Sequence, residues 1–270
     1  MGEERSQRVQ SQCRHKASLD TGACQIRRSC HNASMTDKAH LPDRNDFAHV
    51  RDWVFDLDNT LYPHHINLFA QIDRNMTAYV AELLQLEPTE AKLLQKKYYH
   101  DHGTTLAGLM QHHGVDPNDF LQKAHAIDYS ALLPDESLGQ AIRALPGRKF
   151  IFTNGTVAHA EAAARALGIL DHFDDIFDIV AADYQPKPAG STYDKFTSLN
   201  RIDTRHAAMF EDLPRNLAIP KTLGMKTVLL VPRNLGDVVL ESWERADNTA
   251  PESIDYITDD LAGFLGRLIG

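Results

Sequence analysis

Asp56 and Asp58 stand one residue apart at the end of a short apolar run, Trp53-Val54-Phe55. The run reads as a buried strand. A strand alternates its faces, so the two acids share a side only while the chain stays extended. A bend just past the strand end lets both carboxylates converge on one point. Two acids in such a place repel unless a cation or a shared proton relieves them. That need points to a divalent metal, and oxygen ligands beside a phosphate suit Mg²⁺. One acid is then a candidate nucleophile and the other a candidate acid/base. The plainer alternative is a polar strand-to-loop junction, since Asp-x-Asp by itself is common.

Three further pieces follow downstream. Phe152-Thr153-Asn154-Gly155-Thr156 ends a second apolar run with a hydroxyl, an amide and a glycine leading into a helix. That is either an oxyanion cradle of free backbone N–H groups or an ordinary N-cap turn. Gln185-Pro186-Lys187-Pro188 sets a lysine between prolines that stiffen the backbone. A fixed ammonium there would stabilise developing negative charge, whereas an isolated lysine is usually solvated surface. Met209-Phe210-Glu211-Asp212-Leu213-Pro214 brings two more acids to a strand end. Glu211 and Asp212 complete a candidate Mg²⁺ site opposite Asp56, unless Asp212 only caps the helix beginning near Pro214.

The elements that must position these groups alternate. Strands are expected at Trp53–Phe55, Lys149–Phe152, Asp178–Ala182, Ala207–Phe210, Thr227–Val231 and Tyr256–Thr258. Helices are expected from about Ala158 to Leu167, Ser191 to Leu199 and Pro214 to Leu223, with a last one from Leu261. Such alternation implies an α/β fold, a doubly wound, Rossmann-like parallel sheet that binds ligands at the carboxyl ends of its strands. Between the first two strands lies a helical stretch. Leu68, Ile72, Met76, Tyr79, Val80 and Leu83 recur at helical spacing, Pro88 and Leu106 open further helices, and Asp116-Pro117 is another turn. The expected organisation is an N-terminal extension over residues 1–46, an α/β core over 47–62 and 146–270, and an inserted all-helical cap over 63–145.

Composition narrows the function. The 270 residues are 43% hydrophobic and 24% charged, ordinary values for a globular protein. A net charge of −9 argues against a nucleic-acid polymer as partner, and no apolar run approaches the roughly 18 residues of a membrane span. The first 34 residues carry a net charge of +3 and leave about −12 on the remainder. They hold scarcely any aliphatic residues and are expected to be disordered, with Met35 as the natural start. Cys13, Cys24 and Cys30 all fall there. A metal site with His15 and His31 is disfavoured because no Cys-x-x-Cys pair occurs, and the rest of the chain suits a reducing cytoplasm.

The four pieces, in order over residues 50–232, resemble the four motifs of the haloacid-dehalogenase-like hydrolases. Within that superfamily, Asn59-Thr60-Leu61-Tyr62 and the cap string Tyr98-Tyr99-His100-Asp101-His102-Gly103-Thr104-Thr105-Leu106-Ala107-Gly108-Leu109 are similar to the pyrimidine 5′-nucleotidase branch. The resemblance implies that Asp56 attacks phosphorus and forms an aspartyl-phosphate. Asp58 would protonate the leaving alkoxide and later activate water. Mg²⁺ would take the Asp56 carboxylate, the Asp58 carbonyl and Asp212, with Glu211 nearby, while Thr153 and Asn154 hold phosphate oxygens and Lys187 neutralises charge. His102, Thr104 and Thr105 are candidates to touch a base or ribose, the alternative being a loop that only joins two helices. His64 and His65 are expected to be exposed. The implied substrate is a small phosphorylated metabolite, a nucleoside monophosphate first and a sugar phosphate second. A haloacid dehalogenase has no use for Asp58 as proton donor, a phosphomutase is untested by these residues, and a non-catalytic binding module would carry Asp56, Asp58, Lys187 and Asp212 as costly surplus charge.

Overall fold

In the computed structural model, which describes residues 42–233 and 251–269, the apolar runs become parallel strands. They are β1 (Asp52–Phe55), β2 (Arg148–Phe152), β3 (Asp175–Phe177), β4 (Ala207–Glu211), β5 (Lys226–Leu230) and β6 (Tyr256–Thr258). Their order in the sheet is β3-β2-β1-β4-β5-β6, so β1 lies between β2 and β4. Phe55 pairs with Ile151 on one side and Phe210 on the other. The residues just after β1 therefore emerge beside the ends of both neighbours.

The strands alternate between two apolar layers, as a sheet covered on both faces requires. Trp53, Phe55, Ile151, Ala208, Phe210 and Val228 belong to one layer. Val54, Phe150, Phe152, Met209 and Leu229 belong to the other. Helices cover both: α1 (Arg44–Phe47), α2 (Leu68–Leu84), α3 (Pro88–His102), α4 (Thr105–His113), α5 (Pro117–Ala124), α6 (Glu136–Ala144), α7 (Val157–Ala166), α8 (Gly190–Leu199), α9 (Ala218–Thr222) and α10 (Leu261–Ile269). The result is the doubly wound α/β fold expected, with α2 to α5 forming a cap that has its own core of Ile72, Tyr79, Val80, Tyr98, Leu106, Leu109 and Phe120. No helix among the described residues is long and apolar enough to cross a membrane.

Several expectations are corrected. Residues 42–46 were assigned to the extension, yet Asp43 caps α1 and Phe47 packs on Trp53 and Phe264. The strand expected at Asp178–Ala182 lies at Asp175–Phe177 instead. Asp178 accepts the N–H groups of Val157 and Ala181 and so turns the chain, and Ile179 joins the cap core. Helix α6, assigned to the cap, buries Leu138, Ala141 and Ile142 in the core layer beneath it. The helix expected from Pro214 begins as a 3₁₀ turn, Pro214–Leu217, before α9. Cys13, Cys24, Cys30, His15, His31 and Met35 lie outside the described residues.

Phe210 stacks on Phe55 with ring centroids 4.7 Å apart and on Trp53 at 6.3 Å, fully buried. Phe210→Ala is expected to cost about 3–5 kcal/mol, measured by urea unfolding, because β1 and β4 lose the aromatic stack that joins them.

Candidate active site

The site is built at the carboxyl ends of β1, β2 and β4. The Asp56 N–H donates to the Phe210 carbonyl at 2.9 Å, which carries the β1–β4 ladder one residue past the strand. Asn59 then takes a left-handed conformation, φ 61°, which Asn tolerates better than most residues. That turn brings the chain back over the sheet, and the Asn59 side-chain amide reaches Asp212 Oδ2 at 3.4 Å.

Lys187 is the centre of the charge arrangement. Its side chain is fully buried, and Nζ donates to Asp56 Oδ1 at 2.6 Å, Glu211 Oε1 at 2.8 Å and the Phe152 carbonyl at 2.8 Å. Three acceptors for three ammonium hydrogens leave the lysine satisfied. Its backbone is clamped as well: the Lys187 N–H donates to Asn154 Oδ1 at 2.8 Å, and Asn154 Nδ2 reaches the Lys187 carbonyl. Asn154, expected to hold phosphate, thus also aims the lysine. Thr153 is buried and its Oγ1 accepts the Gly155 N–H at 2.9 Å, which leaves its own O–H to donate.

Glu211 is likewise occupied. Besides Lys187, it accepts from Asn216 Nδ2 at 2.6 Å and from the Leu213 N–H at 2.7 Å. Asp56, Glu211 and Asp212 nevertheless each bring a carboxylate oxygen within 4.8 Å of the others, a group able to hold a metal ion. His64 Nε2 lies 3.6 Å from Asp212 Oδ2, half-buried, whereas His65 is exposed as expected.

Burial pushes the Asp56 carboxyl up to about 8; Lys187 opposes the rise, and Glu211 and Asp58 reinforce it. Burial, with Glu211 and Asp56, also holds Asp212 well above the carboxylate range. For Lys187 burial works against the charge, but Asp56 and Glu211 outweigh it and raise the ammonium. Asp56 and Glu211 thus share the ammonium of Lys187. The donor set is all oxygen, as hard divalent cations require, and the acids rise chiefly because burial disfavours their charge and they face one another.

Asp58 is treated differently. Burial acts to raise it, yet His159 and Tyr62 overcome that and hold it below its ordinary value. His159 Nε2 lies 2.9 Å from Asp58 Oδ1, and the Tyr62 hydroxyl donates to the same oxygen. Sequence reasoning gave no site role to His159, Tyr129 or His125. His159 is a lone histidine in the first turn of α7, and the other two meet it only through the packing of the cap.

In the cap, the loop that is a candidate to meet a base also makes contacts of its own. Thr104 Oγ1 accepts the Ala107 N–H as the N-cap of α4. Thr105 is buried and donates to the Gln95 carbonyl. His102 packs edge-on against Tyr98 and His112, its Nε2 3.1 Å from that of His112. The loop does rest on the core: a Cβ on Gly103 would lie 3.2 Å from Pro186, next to Lys187. Arg215, just past Asp212, sits 4.7 Å over the ring of Tyr99.

A doubly wound sheet that gathers acids and a buried lysine at its strand ends, under a cap inserted after the first strand, is the architecture of a capped α/β hydrolase. Residues 53–224 match the model of the haloacid dehalogenase-like hydrolases, and the chain belongs to that family. It is 30% identical over 152 residues to phosphate metabolism protein 8 of Saccharomyces cerevisiae, a match covering 52% of this chain and 46% of that protein. The aligned part thus spans about half of that relative's length. Among solved structures, the L-2-haloacid dehalogenase of Xanthobacter autotrophicus with chloropropionic acid covalently bound aligns with a TM-score of 0.51 at 15% identity, over 80% of this chain and 97% of that one. A second L-2-haloacid dehalogenase gives 0.52 at 18%, over 81% and 99%. At these identities the likeness is one of fold.

The raised acids have a thermodynamic consequence. Folded Asp56 keeps its proton to about pH 8, while the unfolded chain releases it near the ordinary value of 3.8. Between those values the native state binds more protons, so its stability falls as pH rises. Urea midpoints of the protein in chelator should therefore decline from pH 6 to pH 9. A divalent cation should restore more stability at pH 9 than at pH 6.

Proposed function

We propose that this protein is a Mg²⁺-dependent phosphomonoester hydrolase that works through an aspartyl-phosphate, with pyrimidine nucleoside 5′-monophosphates as its first-choice substrates. The observation that carries the reading is Asp58: an acid held by two donors, two residues past a buried carboxylate that is itself held by Lys187. A nucleophilic carboxylate alone serves halide displacement. A second, separately held acid is needed when the leaving group is an alkoxide that must take a proton.

In this reading an Asp56 carboxylate oxygen attacks phosphorus while the ester P–O bond breaks, and Asp58 gives its proton to the departing alkoxide. Asp58 then takes a proton from water, whose oxygen attacks the same phosphorus and frees Asp56 and inorganic phosphate. Lys187, held against Asp56 and Glu211, compensates charge on the phosphoryl oxygens. Thr153, with an uncommitted O–H, is placed to donate to a phosphate oxygen. Asp56 and Asp212, with the Asp58 carbonyl and Glu211 alongside, are the groups that would hold Mg²⁺. Bound there, the ion would neutralise the carboxylates and the phosphate dianion.

The nucleotide assignment rests on the cap string from Tyr98 to Leu109, and the yeast relative's name, phosphate metabolism protein, agrees with the broader phosphatase reading. Because Thr104 and Thr105 serve the cap itself, small sugar phosphates remain the second reading. The cysteine-free stretch after Cys30 suits the cytoplasmic setting we propose.

Mg²⁺-dependent phosphate release from UMP, CMP, AMP, GMP and a set of sugar phosphates tests the reading. Preferential turnover of UMP or CMP, abolished in a folded Asp56→Asn variant, is the expected result. Turnover of sugar phosphates with nucleotides inert would keep the chemistry and overturn the nucleotide assignment. Retention of activity in Asp56→Asn would overturn the mechanism.

A further inference from the structure

The imidazole of His159 has neighbours on every side. Its Nε2 meets Asp58 Oδ1 at 2.9 Å, and its Nδ1 meets the Tyr129 hydroxyl at 2.9 Å. The His125 ring stacks on it, with centroids 4.7 Å apart and planes inclined by 22°. The residue is fully buried, so water does not replace a lost partner. A carboxylate only accepts, which puts the hydrogen of a neutral His159 on Nε2 and leaves Nδ1 to accept from the Tyr129 O–H. Gly155 makes room for this stack: a Cβ there would lie 3.0 Å from the His159 ring and 3.5 Å from His125 Nε2.

The arrangement treats the two oxygens of Asp58 unequally. Oδ1 receives both His159 Nε2–H and Tyr62 O–H, and among the described residues no hydrogen bond to Oδ2 is seen. An oxygen that already accepts two donors is the poorer place for a proton, because those bonds favour its charged form. Rotation about the Cβ–Cγ bond would exchange the two oxygens unless the donors hold the group.

The three braces come from different parts of the chain. His159 stands on α7 of the core, His125 directly follows the last cap helix α5, and Tyr129 lies in the link from the cap to α6. Resting on the phosphatase reading, we propose that His159 is a positioning residue that commits Oδ2 of Asp58 to proton transfer, and that Tyr129 and His125 make its orientation depend on where the cap sits. The cap then does more than cover the substrate. Its seating sets the aim of the acid that protonates the leaving group.

The proposal separates substrates by their need for a proton. A primary alkyl phosphate leaves as a strongly basic alkoxide, whereas p-nitrophenyl phosphate leaves as a stable phenolate. The ratio kcat/KM counts only steps up to the first phosphoryl transfer, so the later water-activating role of Asp58 does not enter. Measured with Mg²⁺, Tyr129→Phe, which removes one hydroxyl and keeps the ring, should lose about tenfold on the alkyl ester. His159→Phe should lose on the order of 100-fold on it, within the range of general acid catalysis. Both variants should stay within a few-fold of wild type on p-nitrophenyl phosphate.

Equal losses on the two esters would show that the ring merely packs, and would overturn the inference. So would alkyl-ester activity unchanged in Tyr129→Phe. A wild-type protein inert toward both esters would overturn the phosphatase reading, and this inference with it. A wild type active on both leaves that reading standing, and the ratio alone then judges His159.

Discussion

Too much negative charge in too little water is the condition that organises this molecule. Asp56, Glu211 and Asp212 are crowded at the ends of two adjacent strands, and the ammonium of Lys187 is bonded to the first two of them. Buried ion pairs of this kind seldom add stability over well-packed apolar groups, but removing one partner is costly because the other charge is stranded. The chain therefore keeps the lysine fixed from several directions: three acceptors at Nζ, the Asn154 amide on its backbone and prolines on either side. The remaining imbalance is what a divalent cation and a phosphate ester, arriving together, would resolve.

The sheet delivers this crowding through register. Because Phe55 lies level with Phe210, Asp56 follows directly beside Glu211. The stack of Phe55, Phe210 and Trp53 that holds the register is buried in the layer on which α1 and α10 pack. The core packing and the site chemistry are thus joined at the level of single residues: a slip of one position would move the carboxylate away from its neighbours. The cap is joined to the site just as directly, through Gly103 on Pro186, Arg215 on Tyr99, and Tyr129 with His125 on His159.

Much of this was legible in the chain, and what was not has physical causes. Asp56, Asp58, Lys187, Glu211 and Asp212 could be found because each acid pair ends an apolar run and the lysine is framed by prolines. Position along a strand is a local property. The pairing of an amide is not, so nothing in the sequence shows that Asn154 also meets the Lys187 backbone. Thr104 and Thr105 mark a helix start, but the sequence does not say which neighbours their hydroxyls meet. Ile179 to Ala182 looked like a strand because the stretch is apolar, yet Ile179 faces the cap and Asp178 turns the chain. His159, Tyr129 and His125 converge only once the cap is folded onto the core.

The account stands or falls on Asp56 becoming phosphorylated. Rapid mixing of the protein with Mg²⁺ and a phosphate ester, an acid quench during turnover, and mass analysis of its peptides would locate the group directly. The peptide containing Asp56 should carry one phosphoryl group that appears before free phosphate accumulates and is missing in Asp56→Asn. Steady release of phosphate with that peptide unmodified, or with the phosphoryl group on another residue, would contradict the account.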